Sequence, residues 1–84
     1  MRVEFLGIPR ERAGVAELEL DVNTLGDLLV DLDRRFPAIG GLVEAGRMRR
    51  TFLASLNGDA FVSDLRTRLS ARDCVLILSA DAGG

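Results

Sequence analysis

Leu25, Leu28, Leu29, Leu32 and Phe36 recur at i, i+3, i+4, i+7 and i+11. That spacing sets five large apolar side chains on one face of a single helix. It is the main helix of the chain, and its apolar face has to be buried against something other than a second helix, namely a sheet. Thr24 stands where an N-cap belongs, and Asp27, at the third helical position, completes a shortened capping box. Pro37 ends the helix.

The flanking segments read as the sheet. Residues 3–8 form a first strand. Pro9-Arg10-Glu11-Arg12-Ala13-Gly14 reads as a turn, with proline fixing φ and glycine closing it. From Ala16 onward, apolar Ala16, Leu18, Leu20 and Val22 alternate with Glu17, Glu19 and Asp21. This is a half-buried strand, expected to pair with the first as a hairpin. Leu42 and Val43, set between Gly40-Gly41 and Gly46, predict a short helical turn within a loop over 38–50. Residues 51–56 read as a third strand, Asn57-Gly58 as a two-residue turn, and 60–62 as a short fourth strand. Leu65 and Leu69 point inward from the connection over 63–72. Residues 74–79 form the last strand, apolar at nearly every position, which suits a central strand buried by its neighbours. The order is β-β-α-β-β-β, an α+β domain over residues 1–79.

Composition narrows the class. Eighty-four residues make one domain, and a 48% hydrophobic fraction is that of a globular chain. The net charge is −2, the arginines are scattered, and the four phenylalanines do not alternate with positive charge. No nucleic-acid partner is expected from that pattern. No apolar run has membrane-spanning length, and Met1-Arg2-Val3 opens directly into strand-like sequence rather than a secretory leader, so no membrane association is expected. The one cysteine, Cys74, cannot form an internal disulfide and reads as a buried strand residue. With no leader, the expected compartment is the cytoplasm.

The chain contains no histidine, lysine, tyrosine or tryptophan. All positive side chains are arginine, which does not lose its proton and cannot serve as a general base. A phosphate-binding loop with its lysine, a cysteine–histidine zinc site and a Ser-His-Asp triad are therefore excluded. Carboxylates remain, but Glu17, Glu19 and Asp21 lie on one strand face and Asp27 and Asp31 on the polar side of the helix, as solvated faces do. No self-contained active site and no bound cofactor or metal are expected.

Beyond the last strand stand Ala80, Asp81, Ala82, Gly83 and Gly84. Residues 80–84 are expected to form a flexible tail. Its two glycines accept almost any φ and ψ. Extended at about 3.3 Å per residue, it would reach about 16 Å from the globule. Such a segment can enter a narrow channel and present its carboxylate to another protein's active site. Small-residue termini also fray without serving any function.

Several pieces in this order carry a family resemblance. They are Val3-Glu4-Phe5-Leu6-Gly7 followed by Arg10-Glu11 and Ala13-Gly14; Thr24-Leu25-Gly26-Asp27-Leu28-Leu29; Phe36-Pro37; Leu56-Asn57-Gly58-Asp59; and Asp73-Cys74-Val75-Leu76-Ile77-Leu78 with Ala82-Gly83-Gly84. Together they resemble the ubiquitin-like sulfur-carrier family of the molybdopterin synthase small subunit and the thiamine thiazole carrier. The resemblance implies a β-grasp fold, a mixed sheet of about four or five strands with one main helix across one face. Length and the segment 37–51 are closer to the molybdopterin-type branch than to the shorter thiazole-type branch. Where many molybdopterin-type members carry proline before the tail, this chain has Ser79-Ala80-Asp81.

The resemblance also implies a mechanism. An E1-like adenylating enzyme would supply ATP and magnesium and activate the Gly84 carboxylate. Sulfur would then replace AMP, leaving a thiocarboxylate, with Gly83 as the slender spacer. The acceptor would be an enzyme such as the molybdopterin synthase large subunit, of which this chain would be the small subunit. If Val3, Phe5, Val75 and Ile77 face the helix, Leu6, Leu76 and Leu78 face the other way, and Phe61 joins them. This open face, continued by Ala80, Asp81 and Ala82, is the expected docking surface, unless the 37–50 loop folds over it. Two other functions stay open. One is a carrier for thiamine, cysteine or tRNA thiolation, or a modifier joined to lysines of other proteins. The other is a binding module that keeps only the fold.

Overall fold

The structure is a computed structural model that describes residues 1–83. Five strands form one mixed sheet in the order β2-β1-β7-β5-β6. These are β1 (Arg2–Phe5), β2 (Glu17–Glu19), β5 (Phe52–Leu56), β6 (Ala60–Val62) and β7 (Cys74–Ser79). β1 pairs antiparallel with β2 and parallel with β7, while β5 pairs antiparallel with both β7 and β6. The apolar strand β7 is therefore central, as its sequence predicts.

The main helix, α2 (Leu25–Arg35), crosses one face of the sheet. The Thr24 hydroxyl accepts from the Asp27 backbone N–H at 3.1 Å, so the N-cap forms as expected. Leu25, Leu28, Leu29 and Leu32 are fully buried against Val3, Phe5, Val75 and Ile77 of the sheet. Phe36 caps the helix C-terminus and sets its ring edge-on to Phe5, with centroids 5.6 Å apart.

Two connections differ from expectation. The segment read as a turn contains a helix, α1 (Ile8–Ala13). Gly7 turns the chain into it at φ 67°, Pro9 fits its first turn, and Gly14 closes it in the left-handed region at φ 78°. At six residues it is too short for its period to show. The segment 38–50 also differs. Its helical turn lies earlier, as a 3-10 turn over Pro37–Ile39, and Val43 instead opens a ribbon of β3 (Val43–Glu44) and β4 (Arg47–Met48). Ala45 and Gly46 turn this ribbon with φ 53° and 75°. The pair resembles a type I′ turn, but alanine there gives no sequence signal.

The ribbon is tied beside α2. The Asp33 carboxylate accepts from the backbone N–H groups of Leu42 at 2.6 Å and Val43 at 3.2 Å. Leu42 and Met48 thereby join the core on the helix side. The 37–50 segment does not fold over the open sheet face.

Candidate functional site

Strand alternation builds the open face. Val3, Phe5, Val75 and Ile77 point to the helix, so their neighbours point away. Leu78 lies opposite Leu53, and Ser55 lies opposite both Leu76 and Phe61. Leu6 follows β1, and its backbone N–H donates to the Ile77 carbonyl at 3.0 Å. Leu6 is 47% and Phe61 66% exposed, while Leu53, Leu76 and Leu78 are half-buried. The structure thus brings the expected residues Leu6, Leu76, Leu78 and Phe61 onto one uncovered apolar surface. Leu53 belongs with them and escaped the sequence reading. Its signal was present, since Phe52, Ala54 and Leu56 turn to the core and leave Leu53 and Ser55 outside.

The C-terminal segment starts where β7 ends, at Ser79. Ala80 is half-buried, and its backbone N–H donates to the Thr51 carbonyl at 2.9 Å. Asp81 is exposed. Ala80–Gly83 wind into a 3-10 turn. Gly84, the expected reactive residue, lies outside the described residues.

At the opposite end of the face, Cys74 is half-buried on the open side rather than in the core. The reason is register, because Cys74 shares the parity of Leu76 and Leu78. Its Sγ donates to Glu4 Oε1 at 3.0 Å, and Glu4 pairs with Arg2 at 3.3 Å. Burial, and then the bond to the Glu4 carboxylate, push the thiol above its ordinary pKa. The thiolate, which is the reactive form, is disfavoured at neutral pH. Cys74 also stands about 16 Å along β7 from the tail, too far to act on it.

Asn57 ties this end together. At φ 55° it opens the turn between β5 and β6. Its side chain donates to Asp73 Oδ1 at 2.9 Å and accepts from the Cys74 backbone N–H at 2.8 Å. Asp73 also accepts from the Ser70 N–H at 2.7 Å. These bonds, Asn57 first, hold the Asp73 carboxyl below its ordinary pKa. Among the described residues, no group of three or more Cys, Asp or Glu side chains is arranged to hold a metal ion. No described helix is long and apolar enough to cross a membrane.

A β-grasp sheet with one main helix across it, and an apolar open face running into a short C-terminal segment, define a ubiquitin-like sulfur-carrier protein. The chain belongs to the ThiS family, whose model matches residues 3–84. Solved structures agree on the fold. Small archaeal modifier protein 1 from Methanosarcina acetivorans is 26% identical, with TM-score 0.80, covering 99% of this chain and 94% of that one. The Amycolatopsis orientalis BexX/CysO complex gives 26% identity and TM-score 0.80, covering 99% and 98%. SAMP1 from Haloferax volcanii, at 24% identity and TM-score 0.81, covers 100% and 98% and is similar in fold. No curated protein matches the sequence at a significant level.

Proposed function

We propose that this protein carries sulfur as a thiocarboxylate on Gly84 and delivers it to a molybdopterin synthase large subunit. The observation that carries the reading is the ThiS-family match running to residue 84, through the Gly83-Gly84 pair. In this reading an E1-like enzyme brings ATP and magnesium. The Gly84 carboxylate oxygen attacks the α-phosphate, and pyrophosphate leaves. A sulfide-equivalent donor on the partner then displaces AMP. The carboxylate is a poor electrophile, and joining it to AMP supplies the leaving group that sulfur needs. Gly83 lets the backbone pass a narrow channel where a side chain would collide. Leu6, Phe61, Leu76 and Leu78 dock the partner, and Ala80, Asp81 and Ala82 continue that contact toward Gly84. In this reading the cycle runs in the cytoplasm.

A modifier reading has one specific observation in its favour, the likeness to small archaeal modifier protein 1 of Methanosarcina acetivorans. This chain itself is a poor acceptor. It has no lysine, and the Met1 ammonium is occupied, donating to the Leu20 carbonyl at 2.9 Å. An N-terminally tagged form expressed in its own host separates the readings. The carrier returns as one band on denaturing, reducing gels, and a deletion strain loses the molybdenum cofactor. A ladder of adducts that vanishes when Gly83 and Gly84 are deleted assigns the modifier role instead. Loss of a different sulfur-containing cofactor reassigns the acceptor.

A further inference from the structure

The edge strand β6 borders a concavity of about 420 Å³ that the tail chemistry does not use. Its apolar lining comes from both faces of the sheet. Leu53 and Phe61 belong to the open face, while Phe52 and Val62 pack toward the helix side. A site lined from both faces wraps a strand edge rather than lying on a flat surface. β6 ends the sheet, so among the described residues one side of its backbone has no strand partner. Natural edges of this kind are commonly blocked by charge of the edge strand itself, but β6 reads Ala60-Phe61-Val62 and carries none.

The charge stands across the concavity. Arg47 and Arg50 line it and are exposed, and neither makes an ion pair among the described residues. Arg49 also lines it, but its guanidinium is engaged by Glu44 at 3.3 Å and by the Gly40 carbonyl at 2.7 Å. Among the described residues, no carboxylate lines it. The nearest in sequence, Asp59 and Asp64, flank β6, and Asp64 is already paired with Arg66 at 3.2 Å. An apolar edge facing two unpaired cations is complementary to an extended segment that alternates apolar and acidic residues.

We infer that the β6 edge accepts such an acidic–apolar segment of a partner protein as an added strand. Main-chain bonds to β6 supply pairing, alternate apolar side chains fill the two-faced lining, and acidic residues meet Arg47 and Arg50. The site is separate from Gly84 and does not depend on its chemistry.

The probe is a synthetic peptide of about ten residues in which leucine alternates with aspartate, titrated to about 1 mM against the isotope-labelled protein by NMR. Amide shifts are expected in the segments 47–53 and 60–63, with binding weakened several-fold by raising salt. Arg47→Glu combined with Arg50→Glu should weaken binding about tenfold or more, since both are exposed and the fold is retained. The same peptide with proline at its central positions should not bind, because it cannot pair with an edge. Deleting Gly83 and Gly84 should change nothing, which separates this site from the carrier reading. Absence of shifts, shifts confined to β2 or α2, or unaltered affinity in the charge-reversal variant would each overturn the inference.

Discussion

Asn57 and Asp73 show how single residues set the geometry of the open face. Two side-chain bonds of Asn57 bind the β5–β6 turn to Asp73 and to Cys74, where β7 begins. The Asn57 amide and the Ser70 N–H, both donating to Asp73, hold its carboxylate ionised, so its folded pKa lies below its unfolded value of about 3.9. The sign follows from linkage. The stabilisation is present above the unfolded pKa and is lost as pH falls through the folded one. Urea midpoints measured between pH 7 and pH 3 should therefore fall on the acid side. Asp73→Asn should flatten part of that fall, leaving the share of Asp31 and Asp64, whose carboxyls arginines hold low. Identical acid limbs for the two proteins would show that Asp73 is not linked to folding. Cys74 carries the opposite lesson. Its near-continuous apolar setting suggested burial, yet strand parity alone, read against Val75 and Ile77, was enough to put it on the open side.

The elements differ in how plainly the sequence announces them. α2 was legible because four buried leucines repeat at helical spacing between a cap and a proline. β7 was legible because a central strand needs apolar residues on both faces. α1 was not, because six residues span less than two turns and its Pro9 and Gly14 serve turns equally well. The β3–β4 ribbon was not, because Ala45 occupies a left-handed position that asparagine or glycine usually marks. The long connection into β7 was read correctly at Leu65 and Leu69 but not in what it does. It packs on the start of α2, where the N–H groups of Leu25 and Gly26 donate to the Thr67 and Leu65 carbonyls, each at 2.9 Å. Those donors are ones a helix leaves unpaired at its N-terminus. A Cβ at Gly26 would stand 3.1 Å from the Leu65 oxygen and 3.2 Å from its Cβ. Gly26→Val should destabilise the domain by about 2 kcal/mol through overpacking, measured by denaturant unfolding. An unchanged midpoint would mean that the connection yields without cost.

At the scale of the molecule, one face of the sheet is covered by α2 and the β3–β4 ribbon, and the other is left apolar and open. Leu6→Asp should weaken binding to an activating or acceptor enzyme by about 2 kcal/mol if the open face is the dock. The thermal midpoint should move little, because Leu6 is 47% exposed. A variant that folds and binds like the wild type would remove this face from the interface. The phase of that face was readable from alternation, but its partners were not, because apolar side chains such as Leu6, Leu76, Leu78 and Phe61 offer contact area without naming what they touch. The central claim is that Gly84 is the reacting residue, and intact-mass spectrometry tests it most directly. After incubation with the cognate E1-like enzyme, ATP and a sulfur source, the protein should gain the mass of one oxygen-for-sulfur exchange. The Gly84 deletion should gain nothing while keeping its fold. A deletion variant that acquires the same mass, or an intact protein that never does, would contradict the account.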